Sequence, residues 1–307
     1  MLSKKNKSIQ ARKRTNNVVV FLLAFVVFLI VFGGICLWAV IKINQERRSA
    51  ESSISSDLSD TVQFDNNDAN NLLIVMVDNG TAQGFVSLRF DPAKSKIRAL
   101  AIPRDTIVDY KLNEIRLYKL YDEHGAQAAR DAFSSLTDIV FDNYLVITYE
   151  KIGSLIEHLE SDLVITLNEN LEYSGDNLST HISGGRRTLS ASQVIDVLRY
   201  PAWHGGRIQR SAVQAQIAAA LINQYMKPSR QTLADNDFGT IVNLALKTDI
   251  LVSHYRNAKE GLAFLAQRND GSICTDLTLP GKYEGSGDSI RYYTPENIKE
   301  MLQSSYN

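Results

Sequence analysis

An unbroken run of apolar and small residues from Val18 to Ile41, without one charge, constrains this chain more than any other feature of it. At a helical rise of about 1.5 Å per residue such a run crosses a hydrocarbon core of roughly 30 Å. Its flanks are unequal: Lys4, Lys5, Lys7, Arg12, Lys13 and Arg14 precede it, and no Asp or Glu does. Basic flanks resist translocation, so the N-terminus is expected inside the cell and the rest of the chain outside. Trp38 and Lys42 fall where an amphipathic ring and a snorkelling amine suit the outer interface. A cleaved secretion signal is the alternative. Its apolar stretch usually spans about 7–15 residues and ends in a small-x-small site, and Leu37-Trp38-Ala39-Val40 is a poor one. The expected organisation is a basic cytoplasmic tail (1–17), a single transmembrane anchor in the cell membrane (18–42), a Ser-, Asp-, Asn- and Glu-rich extracellular stalk (43–70) and a folded extracellular domain (71–307).

Charge and cysteine content narrow the function. Of 33 Lys+Arg against 34 Asp+Glu, six basic residues belong to the tail, which leaves 27 against 34 and a net charge near −7 beyond it. Such an acidic exterior argues against bulk nucleic-acid binding, which needs a basic face. The five histidines show no HExxH spacing and there is no CxxC, so zinc and thiol chemistry are not expected. Cys36 lies in the apolar run and Cys274 far beyond it, so no intrachain disulfide is expected, and the domain must depend on its core.

The domain opens with Leu72-Leu73-Ile74-Val75-Met76-Val77, a continuous apolar run ended by Asp78-Asn79-Gly80, as in a strand buried on both faces. Phe85–Phe90 and Ile97–Ile102 read as a hairpin, with strands at 142–148 and 162–167. Helices are expected over 123–137, 149–159, from Ser190 (with Gln193 as a capping box), 208–226, 237–247 and 255–268; a last strand and a short helix from Pro295 follow. Intermixed strands and helices with a hairpin predict an α/β fold, an α-β-α sandwich around a mixed central sheet.

Two segments carry polar residues that surface filling does not explain. Pro103-Arg104-Asp105-Thr106 follows a buried strand, where a ligand crevice often opens. Arg199 to Arg210 offers Arg199, Arg207 and Arg210, two glycines and a helix start. Arg207 and Arg210, three apart, share a face of the first helical turn. Guanidinium forks and free N–H groups at a helix start suit phosphate oxygens, and an anion would offset cations placed there. An arginine pair held by acidic neighbours is the competing reading. His204 reads as a loop histidine with an acid–base role as the alternative, Gly184-Gly185-Arg186-Arg187 as an exposed turn, and Lys247-Thr248-Asp249 as a helix end.

The order of these motifs resembles the LytR-CpsA-Psr family: a short strand ending in Asp78, a hairpin, Ile102-Pro103-Arg104-Asp105-Thr106, then Lys111-Leu112-Asn113, Asp142 to Ile147, and Gly206-Arg207-Ile208-Gln209-Arg210. The resemblance spans about residues 70–226. It implies an outward-facing phosphotransferase with an α-β-α core. Such an enzyme moves a phosphoglycan, of teichoic acid or capsule type, from a polyprenyl-pyrophosphate carrier to peptidoglycan. The resemblance also implies Mg²⁺ beside the pyrophosphate and a hydrophobic groove for the lipid. Carried over, Arg104, Arg199, Arg207 and Arg210 would hold the pyrophosphate, Asp105 would orient, and Asp78 would be one of two metal-site aspartates.

The sequence also departs from that pattern. Thr81-Ala82-Gln83 stands where the family has Arg-Ser-Asp, Arg199-Tyr200-Pro201 where it has Arg-Tyr-Arg, and Ser211 where it has Gln; His204-Gly205-Gly206-Arg207 replaces Asp-Phe-Gly-Arg, and that loop is shorter. Gln83 brings a neutral carbonyl to a metal-ligand position. Three readings stay open: a transferase with weaker or substrate-assisted metal binding, a paralogue that binds lipid-linked polymer or an active relative, and an envelope structural protein.

Overall fold

The folding of the domain is organised by two apolar faces of one sheet. A computed structural model describes residues 63–159, 162–175, 178–230 and 234–306. The tail, the apolar run and most of the expected stalk lie outside the described residues; among those described, no helix is long and apolar enough to cross a membrane. Strand β1 (Asn70–Asp78) pairs antiparallel with β2 (Thr81–Asp91), and β2 antiparallel with β3 (Lys96–Ile102). The hairpin β4 (Ile107–Tyr110) and β5 (Asn113–Arg116) leads into α1 (Leu117–Thr137), and β6 (Asn143–Thr148) returns parallel to β1. With β11 (Lys247–Thr248) and β12 (Cys274–Thr278) at its edges, the six-stranded mixed sheet runs β11-β6-β1-β2-β3-β12.

Alternate residues of each strand enter different cores. Leu73, Val75 and Val77 of β1 join Phe85, Leu100, Ile102 and Val146 under α1 and the C-terminal helix α7 (Ile298–Ser305). Met76, Val86, Leu88, Ala99 and Ile147 meet α2 (Tyr149–His158), α3 (Ala191–Arg199) and α4 (Gly206–Tyr225) on the other face. Helices α5 (Ala234–Leu244) and α6 (Val252–Gln267) complete the set before β12. Helix layers on both faces explain the unbroken apolar reading of β1, since a strand covered on both sides has no polar face to alternate with. The mixed α/β architecture expected from the sequence is therefore present.

Four elements differ from expectation, each for a local reason. Strand β2 starts at Thr81, because Asn79 and Gly80 (φ 50° and 78°) form a two-residue turn of the kind that joins twisted strands. Helix α1 starts at Leu117, six residues before the expected start, and is broken at Gly125 (φ 83°). Gly184 to Arg187 is not a turn: Gly185–Leu189 is strand β10, paired with β7 (Leu163–Leu167) in a separate ribbon. Its first four residues are exposed, so no alternation marked it. Lys247 and Thr248 are an edge strand rather than a helix end. Two further pairs, β8 (Leu171–Gly175) with β9 (Leu178–Ile182) and β13 (Lys282–Glu284) with β14 (Arg291–Tyr293), lie outside the main sheet.

Candidate active site

Strands β1, β3, β6 and β12 all point the same way, and the expected polar residues gather at their carboxyl ends, where open α/β sheets place ligands. At the end of β3, Pro103 turns the chain. Thr106 donates its N–H and hydroxyl to the Pro103 carbonyl at 3.0 and 2.6 Å, and the Arg104 and Thr106 carbonyls accept from Tyr118 and Leu117 at the start of α1. The turn that carries Arg104 and Asp105 is thus tied at both ends to regular structure.

The four arginines fall into two kinds. Arg199, the last residue of α3, grips Asp78 with two parallel hydrogen bonds, Nη2 to Oδ1 at 2.7 Å and Nε to Oδ2 at 3.1 Å, and also meets Glu150. These bonds raise the Arg199 pKa, the hydrogen bond to Asp78 first among causes. Arg207, in the first turn of α4, donates to Asp105 Oδ2 at 2.8 Å, and Asp105 is only 1 % exposed. Among the described residues, Arg104 and Arg210 have no such carboxylate. Both donate to one neutral oxygen, Gln83 Oε1, at 2.6 and 3.3 Å. Burial lowers the Arg104 pKa and the charge of Arg210 adds to that, while Asp105 opposes. The Arg104 guanidinium also lies 4.1 Å above the Tyr118 ring.

Gln83 reaches this position through an irregularity in the ladder. Met76 faces Gly84 and Val77 faces Ala82, so Gln83 is an extra residue on β2, a bulge that turns its side chain toward the arginines. Behind it, Gln214 of α4 donates to the Gln83 carbonyl at 3.2 Å and to Tyr149 Oη at 3.1 Å. Gly84 leaves room for this contact: a Cβ would stand 1.8 Å from Gln214 Oε1 and would push that side chain out of its place.

Residues the sequence reading left out complete the pocket. Asp122 of α1 accepts from the Ala82 N–H at 3.2 Å and forms no ion pair among the described residues. Its pKa is raised by burial, with the Ala82 bond and Arg104 opposing. Tyr283 lies within the fields of Asp105, Arg207 and Arg104, and its pKa is raised mainly by burial. Its hydroxyl is buried without a partner, as is Arg210 Nε. Buried donors left unmade cost about 1–3 kcal/mol each, and these two lie in a region where the arginines already make donors outnumber acceptors. Nothing in local sequence marks Asp122 or Tyr283; they come from helix and hairpin faces. His204 pairs with Glu169 at 2.9 Å and is exposed, and Lys111 and Leu112 form the tip of the β4–β5 hairpin, so neither is among the residues gathered around Gln83. A separate groove of about 510 Å³ beside Val108, Leu136 and Pro295 holds none of the arginines.

The donors present do not fit Mg²⁺. A hard cation wants several oxygens at octahedral positions. Here both Asp78 oxygens are taken by Arg199, and the Gln83 oxygen by two guanidiniums. Among the described residues no three His, Cys, Asp or Glu come together as a metal-holding group.

An α/β domain of this architecture is a recurrent one. The LytR_cpsA_psr family profile matches residues 38–305, and the chain belongs to that family of cell-envelope glycopolymer transferases. The fold is shared with a protein of Eubacterium siraeum proposed to be a transcription regulator (TM-score 0.70, 18 % identity, 82 % of this chain and 98 % of that one). It is shared also with B. subtilis TagV (0.64, 16 %, 77 % and 96 %) and with TagT bound to LIIa-WTA (0.57, 14 %, 80 % and 93 %). Comparison with curated proteins by sequence gave no match.

Proposed function

We propose that this chain is a membrane-anchored, outward-facing transferase that takes a phosphoglycan from a polyprenyl-pyrophosphate carrier and joins it to peptidoglycan. The observation that carries this reading is the convergence of Arg104 and Arg210 on a neutral oxygen, which leaves the charge of two part-buried guanidiniums for an incoming pyrophosphate. The Val18–Ile41 run and its basic flank support the anchor and its orientation. TagT, which shares the fold, is bound to LIIa-WTA, and this supports a lipid-linked glycopolymer as the donor.

In this reading the acceptor hydroxyl attacks the glycan-side phosphorus. A new P–O bond forms, the bond to the bridging oxygen breaks, and polyprenyl monophosphate leaves. Charge building on the phosphoryl oxygens and the leaving phosphate is met by Arg104, Arg210 and Arg207 at fixed positions. The hydroxyl proton needs a carboxylate. Asp78 and Asp105 are engaged by arginines, whereas Asp122 forms no ion pair among the described residues and holds a proton more readily than an ordinary carboxylate. Asp122 is the residue we assign to accept it.

The test is transfer of a labelled polyprenyl-pyrophosphate-linked saccharide to peptidoglycan oligomer by the full chain in detergent. Arg104→Ala is expected to cut turnover by about 10²–10³-fold and Asp122→Asn by about 10²-fold with donor binding kept. A chain that binds the donor and yields no product under any condition would instead be a binding paralogue, a reading that the occupied Asp78 and Asp105 favour.

A further inference from the structure

We infer that this site binds pyrophosphate without a divalent cation, the two guanidiniums at Gln83 supplying the charge that a metal would otherwise bring. The inference rests on the pyrophosphate reading above and concerns how the anion is held.

Consider what a carboxylate at position 83 would do. Set 2.6 Å from Arg104 Nη1 and 3.3 Å from Arg210 Nη2, it would form an ion pair with both and neutralise the donors that a phosphate needs. A metal bound to that carboxylate would be required to free them. The amide of Gln83 avoids the conflict: it orients both guanidiniums through one oxygen and adds no negative charge to compete with the ligand. A neutral acceptor is also exchanged for charged phosphate oxygens at little cost, since hydrogen bonds to ionised partners are roughly twice as strong as neutral ones.

The remaining charges agree. Asp78 is held by Arg199 through both its oxygens, in the geometry guanidinium and carboxylate prefer. A cation seeking Asp78 would have to displace that fork beside further positive charge. Asp105 is consumed by Arg207. Arg210 Nε and Tyr283 Oη are buried donors without partners beside the same arginines, so the pocket carries more donors than acceptors. Charge stabilisation in this pocket is therefore distributed over fixed organic cations, whose positions are set by the bulge at Gln83, the Pro103 turn and the start of α4.

The experiment uses the full chain in detergent, with farnesyl pyrophosphate and inorganic pyrophosphate as probes, titrated calorimetrically in EDTA and in excess Mg²⁺. The wild type is expected to bind with the same Kd within about twofold in both buffers, and Mn²⁺ titrated alone, followed by electron paramagnetic resonance, is expected to show no stoichiometric site. Gln83→Glu, which keeps length and changes only charge, is expected to weaken probe binding about tenfold or more in EDTA, as an internal ion pair replaces the ligand. Binding tightened tenfold or more by Mg²⁺ in the wild type would overturn the inference and leave the pyrophosphate reading standing. Probe binding by Gln83→Glu equal to the wild type in EDTA would overturn the inference too. No binding in either buffer would remove the inference and the reading beneath it.

Discussion

Position 83 and position 122 are adjacent through the Ala82 N–H yet carry opposite chemistry, a neutral amide that gathers cations and a carboxyl group made reluctant to ionise. For Asp122 the sign is definite. Burial raises its folded pKa above the ordinary 3.8, so the native state holds this proton more tightly than the unfolded chain does. The stability tied to it is complete below the ordinary value and is lost as pH rises through the raised one. Asp122→Asn keeps an oxygen for the Ala82 amide and removes the titration. It is expected to melt above the wild type at pH 7 and level with it below the ordinary value, read by scanning fluorimetry across pH; a lower melting temperature at pH 7 would contradict this. The same substitution that slows transfer should thus stabilise the fold, as befits a group held in an unfavourable state for use. Arg104, Asp105, Arg199, Arg207 and Arg210, which the fold brings to one end of the sheet, stand out in the sequence as candidates because each lies in a short motif with glycine, proline or a helix start beside it. That Asp78 is locked to Arg199 is not legible there, since the partner lies 121 residues away. Nor could Asp122 be found, as one acid on an amphipathic helix looks like solvated surface.

At the scale of elements, the cap of α3 agrees with the sequence, whereas the expected turn at Gly184–Arg187 and the expected helix end at Lys247 are strands. Ser190 accepts from the Gln193 N–H at 3.4 Å while Gln193 returns a bond to the Ser190 N–H at 3.0 Å, the reciprocal pair expected at the start of α3. Ser190→Ala is expected to cost about 1 kcal/mol, or roughly 2–4 °C in Tm for a domain of this size. Because Arg199 closes the far end of α3 and keeps its grip on Asp78, probe affinity should stay unchanged; a large affinity loss would show that α3 is positioned by its cap rather than by its packing. Strand β2 was under-read at its start because Thr81, Gln83 and Gly84 break the apolar alternation that marked Phe85–Phe90. Thr81 follows the Asn79-Gly80 turn, Gln83 is the bulge and Gly84 the close approach to α4, so the interruption in pattern falls on the candidate site. The ribbon β7–β10 escaped for the opposite reason: its exposed half offers no periodicity to find.

Over the whole molecule, the last helix closes the sheet. Tyr306, buried at 1 % exposure, shares a 2.5 Å hydrogen bond with Ser87 in the middle of β2, and burial raises its pKa. Tyr306→Phe strands the fully buried Ser87 hydroxyl and is expected to cost about 1–3 kcal/mol, measured as a shift in urea midpoint with unchanged slope. A variant as stable as the wild type would mean that Ser87 finds another partner. The two-faced core was visible in β1 alone, whereas the docking of residue 306 on residue 87 belongs to tertiary packing that no local pattern encodes.

The bonds that bring the end of α3 and the start of α4 to the pocket join distant parts of the chain: 121 residues separate Arg199 from Asp78, 102 separate Arg207 from Asp105, and 127 separate Arg210 from Gln83. Loops of that length close late and slowly, after local helices and hairpins have formed. A partly folded chain therefore owns the arginines without owning the pocket. Under the proposed function, affinity for pyrophosphate depends on both helix layers being docked on the sheet, and a fragment lacking α3 and α4 is expected to have none.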